Sequence, residues 1–132
     1  MPYEELQHTA DWCLHVWAED LPSLFVDAAW GLNMLSGMHP ATGPTIQRTY
    51  EHTAQDPEDQ LVSFLSELVY SAEQEKLVFF QFDIQTEGEK LIINMKGAPL
   101  VGDHKTIKAV TYHNLRIQQT ANGVEVEIVF DV

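Results

Sequence analysis

Acidic groups stand at two places where strand ends are expected, and their chemistry suits a divalent cation. The sequence finishes on Asp131 and Val132, so a side-chain carboxylate lies next to the main-chain carboxylate. Asp11 precedes the second predicted strand and adds a third carboxylate if the first and last strands are neighbours. Hard cations such as Ca²⁺ or Mg²⁺ prefer oxygen ligands of this kind. The alternatives are an Asx turn or strand cap at Asp11 and a simple chain end at Asp131.

Lys108 and His113 stand in the predicted C-terminal hairpin, upstream of its turn. Strand alternation places Lys108 on the face of Asp131. The expected partner of Asp131 is Asn114, and about 20 Å of straight strand separates Asn114 from Lys108. We therefore predict two separate functional points unless the strand bulges. His113 alternates with apolar residues, so we interpret it as a core histidine and not as a metal ligand.

Familiar catalytic patterns are missing from the sequence. It has no serine-nucleophile elbow, no glycine-rich phosphate loop and no paired-histidine zinc helix. Its single cysteine, Cys13, lies between apolar neighbours and is predicted to be a buried, unreactive thiol. One enzymatic reading stays open: a small hydrolase in which Asp11 and His113 act with a metal-bound water.

The composition describes an acidic domain. The 132 residues include 20 acidic and 7 basic side chains, giving a net charge of −13. This length predicts one domain that spans residues 1–132. A surface so negative repels nucleic acid. It suits binding to a basic protein surface or a cation, or it serves only to keep the protein soluble. Neither a leader-like N-terminus nor a long apolar run occurs, so we expect a cytoplasmic protein without a membrane segment, either monomeric or a weak oligomer.

Two amphipathic helices are predicted from apolar residues at helical spacing. The first helix is predicted to begin after Asp20, its N-cap, and to end at Ser36 and Gly37. The second helix starts at Asp56, which precedes a proline and two acids, and its buried stripe runs from Leu61 to Ala72.

Strands fill most of the remaining chain. They are predicted over Tyr3–Gln7, Trp12–Ala18, Thr45–Thr53, Lys76–Gln85 and Lys90–Lys96, with loops over Met38–Pro44 and Gly97–Lys105. The chain closes with a hairpin over Ile107–Val132 that turns at Asn122-Gly123. Its expected pairs are Ala121 with Val124, Ile117 with Ile128, Leu115 with Phe130, and Asn114 with Asp131. The fold class is α+β: two amphipathic helices packed on a largely antiparallel β-sheet, closed by this C-terminal β-hairpin.

Several segments together resemble the archease family. They are His8-Thr9-Ala10-Asp11, Leu21 through Phe25 with Ala28-Ala29 and Gly31, Asp56 with the Leu61 to Leu68 helix, Ile107 through His113, and the ending Phe130-Asp131-Val132. The resemblance runs nearly end to end, and the first and fourth motifs are specific in combination. Cys13 and Ala18 depart from it, since the family usually has glycine there.

The resemblance implies a protein cofactor and not an enzyme. Archeases assist the RtcB-type RNA ligase, which joins tRNA halves and other RNA ends with GTP and a divalent metal. They speed guanylylation of the ligase and allow many turnovers, and they meet RNA only through the ligase. By residue match, Asp11, Asp131 and the Val132 carboxylate are the ligands of Ca²⁺ or Mg²⁺, and Lys108 is needed for activation. A chaperone-like metal-binding module without a dedicated client is a further alternative.

Overall fold

The computed structural model describes residues 2–7 and 11–132, and these residues form two helices and nine strands. In chain order the elements are β1 Tyr3–Gln7, β2 Trp12–Ala18, α1 Leu21–Ser36, β3 His39–Pro40, β4 Ile46–Thr53, α2 Pro57–Gln74, β5 Leu77–Glu87, β6 Lys90–Val101, β7 Ala109–Val110, β8 Gln118–Thr120 and β9 Gly123–Asp131.

The strands form two antiparallel sheets. The first has the order β1-β2-β9-β7, with β8 also paired to β9, and the second has the order β3-β6-β4, with β5 also paired to β6. Both helices contact strands of both sheets, so the apolar core lies between helices and sheets. The predicted α+β class, two helices on antiparallel sheet, is confirmed.

Helix α1 begins and ends at its predicted signals. The Asp20 carboxylate accepts a hydrogen bond from the Ser23 amide at 2.9 Å, which satisfies one of the free N–H groups of the first turn. Gly37 ends the helix in the left-handed conformation, with φ 72°. The buried side of α1 presents Leu24, Phe25, Ala28, Ala29 and Leu32 to the core.

Helix α2 also begins where the sequence predicts, although its cap is different. Asp56 occupies the N-cap position, but its side chain makes no capping hydrogen bond. The buried Gln60 stabilises the N-terminal end of α2 instead, because its side-chain amide donates hydrogen bonds to the carbonyls of Ala54 and Glu89. Further along, the Phe64 ring packs edge-on against Phe82 with 5.6 Å between ring centroids.

The predicted loop over Gly97–Lys105 is wrong in its first half, because β6 continues to Val101. This extension has partners on both sides: Pro99 pairs with Leu77 of β5, and Val101 pairs with His39 of β3. Gly97 permits the close approach, since a β-carbon there would lie 2.6 Å from the Val78 carbonyl oxygen. The same pairing makes a short strand, β3, within the predicted loop over Met38–Pro44.

The predicted register of the C-terminal hairpin is wrong. Thr120 pairs with Gly123, so the turn consists of Ala121 and Asn122, and Gln118 pairs with Glu125. Gly123 lies in the strand at φ 145°, where a β-carbon would clash with the Ala18 carbonyl oxygen. The glycine is therefore needed for close strand packing and not as the second residue of the turn.

The hairpin is also interrupted. Residues 111–117 leave the ladder, and pairing resumes with Val110 opposite Phe130 and Ala109 opposite Asp131. Seven residues of one strand thus face only four, 126–129, of the other. Asn114, with φ 52°, turns the chain within this segment. Asn114 therefore does not pair with Asp131, contrary to prediction.

Replacing Gly123 with alanine should destabilise the fold by about 1–3 kcal/mol or more, because it adds a clash to a strained backbone conformation. Gly88→Ala is the matched control: Gly88 also has positive φ, at 64°, but a β-carbon there meets nothing within 4 Å. Urea unfolding of both variants measures the difference. Equal losses would show that Gly123 does not pack against Ala18 in solution.

Candidate functional site

Asp11 and Asp131 lie at the same end of the first sheet. Trp12, the first residue of β2, pairs with Phe130, so the next residues in this register are Asp11 and Asp131. Cross-strand neighbours of this kind have β-carbons about 5 Å apart. By alternation both side chains belong to the face that carries Cys13 and Val129, away from the helices. The condition for a third carboxylate, that the strand after Asp11 lies beside the last strand, is met because β2 pairs with β9.

Lys108 reaches the same strand end from the other side of β9. Ala109 pairs with Asp131, and the Lys108 amide donates a hydrogen bond to the Asp131 carbonyl oxygen at 2.8 Å. Two separate functional points are predicted for a strand without a bulge; the excursion at residues 111–117 is such a bulge, and it brings Lys108 to the strand end. Asp131 therefore lies between Asp11 on one side and Lys108 on the other.

The Lys108 side chain does not share the face of Asp131, which corrects a second expectation. Ala109 is the residue paired with Asp131, so alternation sends Lys108 to the opposite face. Lys108 lines a groove of about 520 Å³ between α2 and the segment leading into β7. The other lining residues are Ser66, Val69, Tyr70, Glu73, Gln74, Thr106, Ile107, Ala109 and Val110. The strand end thus presents carboxylates on one face and an ammonium group on the other.

A second lysine stands near this strand end. The Lys105 ammonium lies 5.0 Å from the centroid of the Trp12 ring, in cation–π geometry. Its main-chain amide donates to the Ser36 carbonyl at 2.8 Å, which ties the segment to the end of α1. This pair is not predicted from the sequence, because Lys105 lies in a predicted loop and no residue pattern links it to Trp12.

Residues 111–117 form a strap that is anchored at both ends. Thr111 donates to the Val129 carbonyl from its amide and its hydroxyl, each at 3.0 Å. Further on, the Ile117 amide donates to Glu58 of α2 at 2.9 Å. Between them, the Tyr112 hydroxyl donates to the Asp59 carboxylate, and this bond raises the tyrosine pKa. The strap fixes the point at which the chain rejoins β9.

The strap also holds His113, which is exposed. The prediction of a core histidine is therefore wrong, because His113 has left the strand whose alternation suggested burial. Cys13 is buried as predicted, and burial is the main cause that raises the pKa of its thiol. Residues 8–10 of the predicted motif lie outside the described residues.

The carboxylate oxygens at the strand end are the type of ligand that a hard cation prefers. Asp131 is exposed and Asp11 half-buried, so both carboxylates can be reached from water. Within residues 2–7 and 11–132, no three His, Cys, Asp or Glu side chains converge as a metal-binding group. The predicted set differs in composition, since it combines two side chains with the main-chain carboxylate of Val132.

Among the described residues, no helix has the length and apolar character needed to cross a membrane.

Comparison with known proteins gives one consistent family. Residues 3–132 match the Archease protein family. Protein archease of Methanosarcina mazei is 34% identical over 98% of this chain and 95% of the relative. Protein archease of Methanopyrus kandleri is 31% identical over the full length of both chains. Protein archease-like of Drosophila melanogaster is 32% identical, covering 100% of this chain and 91% of its own.

A solved structure has the same fold. The solution structure of protein 1598 from Methanobacterium thermoautotrophicum superposes with a TM-score of 0.74, covering 99% of each chain at 20% sequence identity.

Asp131→Ala should lower the affinity for Ca²⁺ about tenfold or more, since the charge of the ligands sets the affinity of such sites. The free energy of unfolding should stay within about 0.5 kcal/mol, because the exposed carboxylate is not needed for strand pairing. Asp83→Ala removes an exposed carboxylate from β5 and is the control. Calcium titration calorimetry checks this. Equal affinities in the two variants would remove Asp131 from the ligand set.

Proposed function

The chain belongs to the archease family, and from this membership we propose that it activates an RtcB-type RNA ligase and is not itself the catalyst. It promotes guanylylation of the ligase and repeated turnover in tRNA splicing and RNA end joining. The observation that carries the proposal is the main-chain hydrogen bond from the Lys108 amide to the Asp131 carbonyl oxygen, because it joins the motif residues at one strand end. That strand end is then the part presented to the ligase.

The carboxylates of Asp11, Asp131 and Val132 would hold a divalent cation, Ca²⁺ or Mg²⁺. In this proposal the two faces of the strand end have different roles. The carboxylate face orients oxygen ligands toward the cation, which when bound supplies positive charge for phosphate oxygens. The opposite face offers Lys108, whose ammonium group can contact phosphate directly. Lys105, held over Trp12, adds a second positive charge nearby.

The net charge supports a basic partner. An RNA ligase must surround its catalytic centre with Lys and Arg in order to hold phosphates. A domain of net charge −13 is attracted to such a surface and repelled by free RNA. In this proposal the chain meets RNA only indirectly, through the ligase, and it acts in the cytoplasm as a monomer or weak oligomer.

Guanylylation of a purified RtcB-type ligase, measured with and without this chain, tests the proposal. The wild-type chain should raise the rate, and Asp131→Ala and Lys108→Ala should each abolish most of the increase while remaining folded. Both side chains are exposed, so these variants should unfold within about 0.5 kcal/mol of wild type. A wild-type chain that leaves the rate unchanged would sink the proposal.

One residue added after Val132 tests the main-chain carboxylate alone. The addition moves the terminal charge about 3.3 Å along the strand and leaves a neutral amide in its place. We expect calcium affinity and ligase activation to fall together, with little change in thermal melting. An extended chain that activates normally would show that the Val132 carboxylate is no ligand.

A further inference from the structure

The outward face of α1 carries large apolar side chains where a surface helix ordinarily carries charges. Ser23, Asp27, Trp30 and Met34 recur at helical spacing and form one line, here named the α1 stripe. Trp30 is 40% exposed and Met34 59%. Asp27 is the single charged residue of α1. The stripe therefore combines two exposed apolar side chains, Trp30 and Met34, with the Ser23 hydroxyl and the Asp27 carboxylate.

The fold itself does not require this surface. The core contacts of α1 come from its other side, and the stripe adds nothing to them. Helix α2 also exposes one large aromatic side chain, Tyr70 at 57%, but the rest of its outer side is polar, with Glu58, Asp59, Glu67 and Glu73 partly exposed. Exposed apolar surface that is rimmed by polar groups is typical of a docking site.

The charges around the stripe define what can dock there. Helix α1 itself carries no lysine or arginine, since Arg48 is the first such residue in the sequence. Met34 shares a hollow of about 260 Å³ with Glu5, and Asp27 shares another of about 460 Å³ with Glu19. The apolar stripe thus has an acidic rim at both ends.

Asp27 lacks a compensating charge. Burial raises the pKa of its carboxyl, and neither a hydrogen bond nor a nearby cation acts against this in the described part of the chain. A guanidinium or ammonium group from a partner would stabilise the ionised carboxylate at this position. Trp17, which is 39% exposed, forms an aromatic wall of the same hollow, and such a ring also attracts cations.

The stripe leads to the candidate functional site. Met34 lies two residues before Ser36, the end of α1, whose carbonyl accepts the Lys105 amide. Lys105 in turn covers Trp12, the neighbour of Asp11. A partner that engages the strand end can therefore continue its contact along α1.

We propose that the α1 stripe is a second contact surface for the ligase and receives a basic segment that also carries apolar side chains. This proposal rests on the proposed function and assigns the docking affinity to α1, whereas activation belongs to the strand end. A second copy of this chain fits the surface less well, because the acidic rims of two copies would repel each other. Anionic membranes are disfavoured for the same reason.

The test separates docking from activation. The dissociation constant for purified ligase is measured at fixed Mg²⁺ for the wild type and for Trp30→Ala/Met34→Ala. We expect it to rise about tenfold or more, because buried tryptophans dominate such interfaces. Ile46→Ala is the apolar control, since Ile46 is also 40% exposed but lies on β4 of the second sheet. Asp27→Asn, with Asp83→Asn as its control, tests the charge contribution at low salt.

Guanylylation provides a second readout. The stripe variant should need more protein for half-maximal activation yet reach the wild-type maximum, while Asp131→Ala should bind the ligase but lower the maximum. A stripe variant that binds as tightly as Ile46→Ala overturns this proposal and leaves the proposed function standing. A wild-type chain that neither binds nor activates the ligase overturns both. Self-association that the stripe variant abolishes, with ligase binding unchanged, would assign the stripe to a second copy.

Discussion

The pairing of β9 on both edges is the constraint on which the rest of the molecule depends. β2 follows one edge from Ala18 to Trp12, while β7 and β8 divide the other. Its inward side chains, Val124, Val126, Ile128 and Phe130, are all buried in the core. A slip of one residue would turn this set toward water, so the register is strongly specified. The packing that fixes Phe130 therefore also fixes Asp131.

The strap at residues 111–117 converts this fixed end into a composite site. Had the pairing of β8 continued without interruption, Tyr112 would have been opposite Asp131. The three additional residues bring Ala109 to that position and Lys108 beside it. Because three is an odd number, the excursion also changes which side chains face the helices. The hydrogen bonds of the strap to Glu58 and Asp59 hold this altered pairing in place.

Local signals in the sequence predict the elements well, and non-local pairing accounts for the errors. Asp20 and Gly37 act within one turn of α1, so its boundaries follow from the sequence. Gly123 combined with Asn122 predicts a turn, but contact with β2 places the glycine in a strand. Likewise, β6 extends past Gly97 only because β3 and β5 supply partners. The proximity of Asp11 to Asp131 could be predicted from the sequence on the condition that their strands are neighbours. The proximity of Lys108 to Asp131 could not, because it depends on a bulge whose position no residue pattern indicates.

The distribution of positive charge suggests which kind of centre the strand end fits. On the second sheet, Arg48 forms a bidentate pair with Glu75, and Lys90 pairs with Glu51. No carboxylate lies within ion-pair distance of Lys105 or Lys108 in the described part of the chain. Within the same described residues Lys76, Lys96 and Arg116 also have no ion-pair partner, but Lys105 and Lys108 are the two lysines that lie beside the candidate metal ligands. Carboxylates attract cations and free lysines attract phosphates, so this end complements a centre that contains both better than a uniformly basic surface.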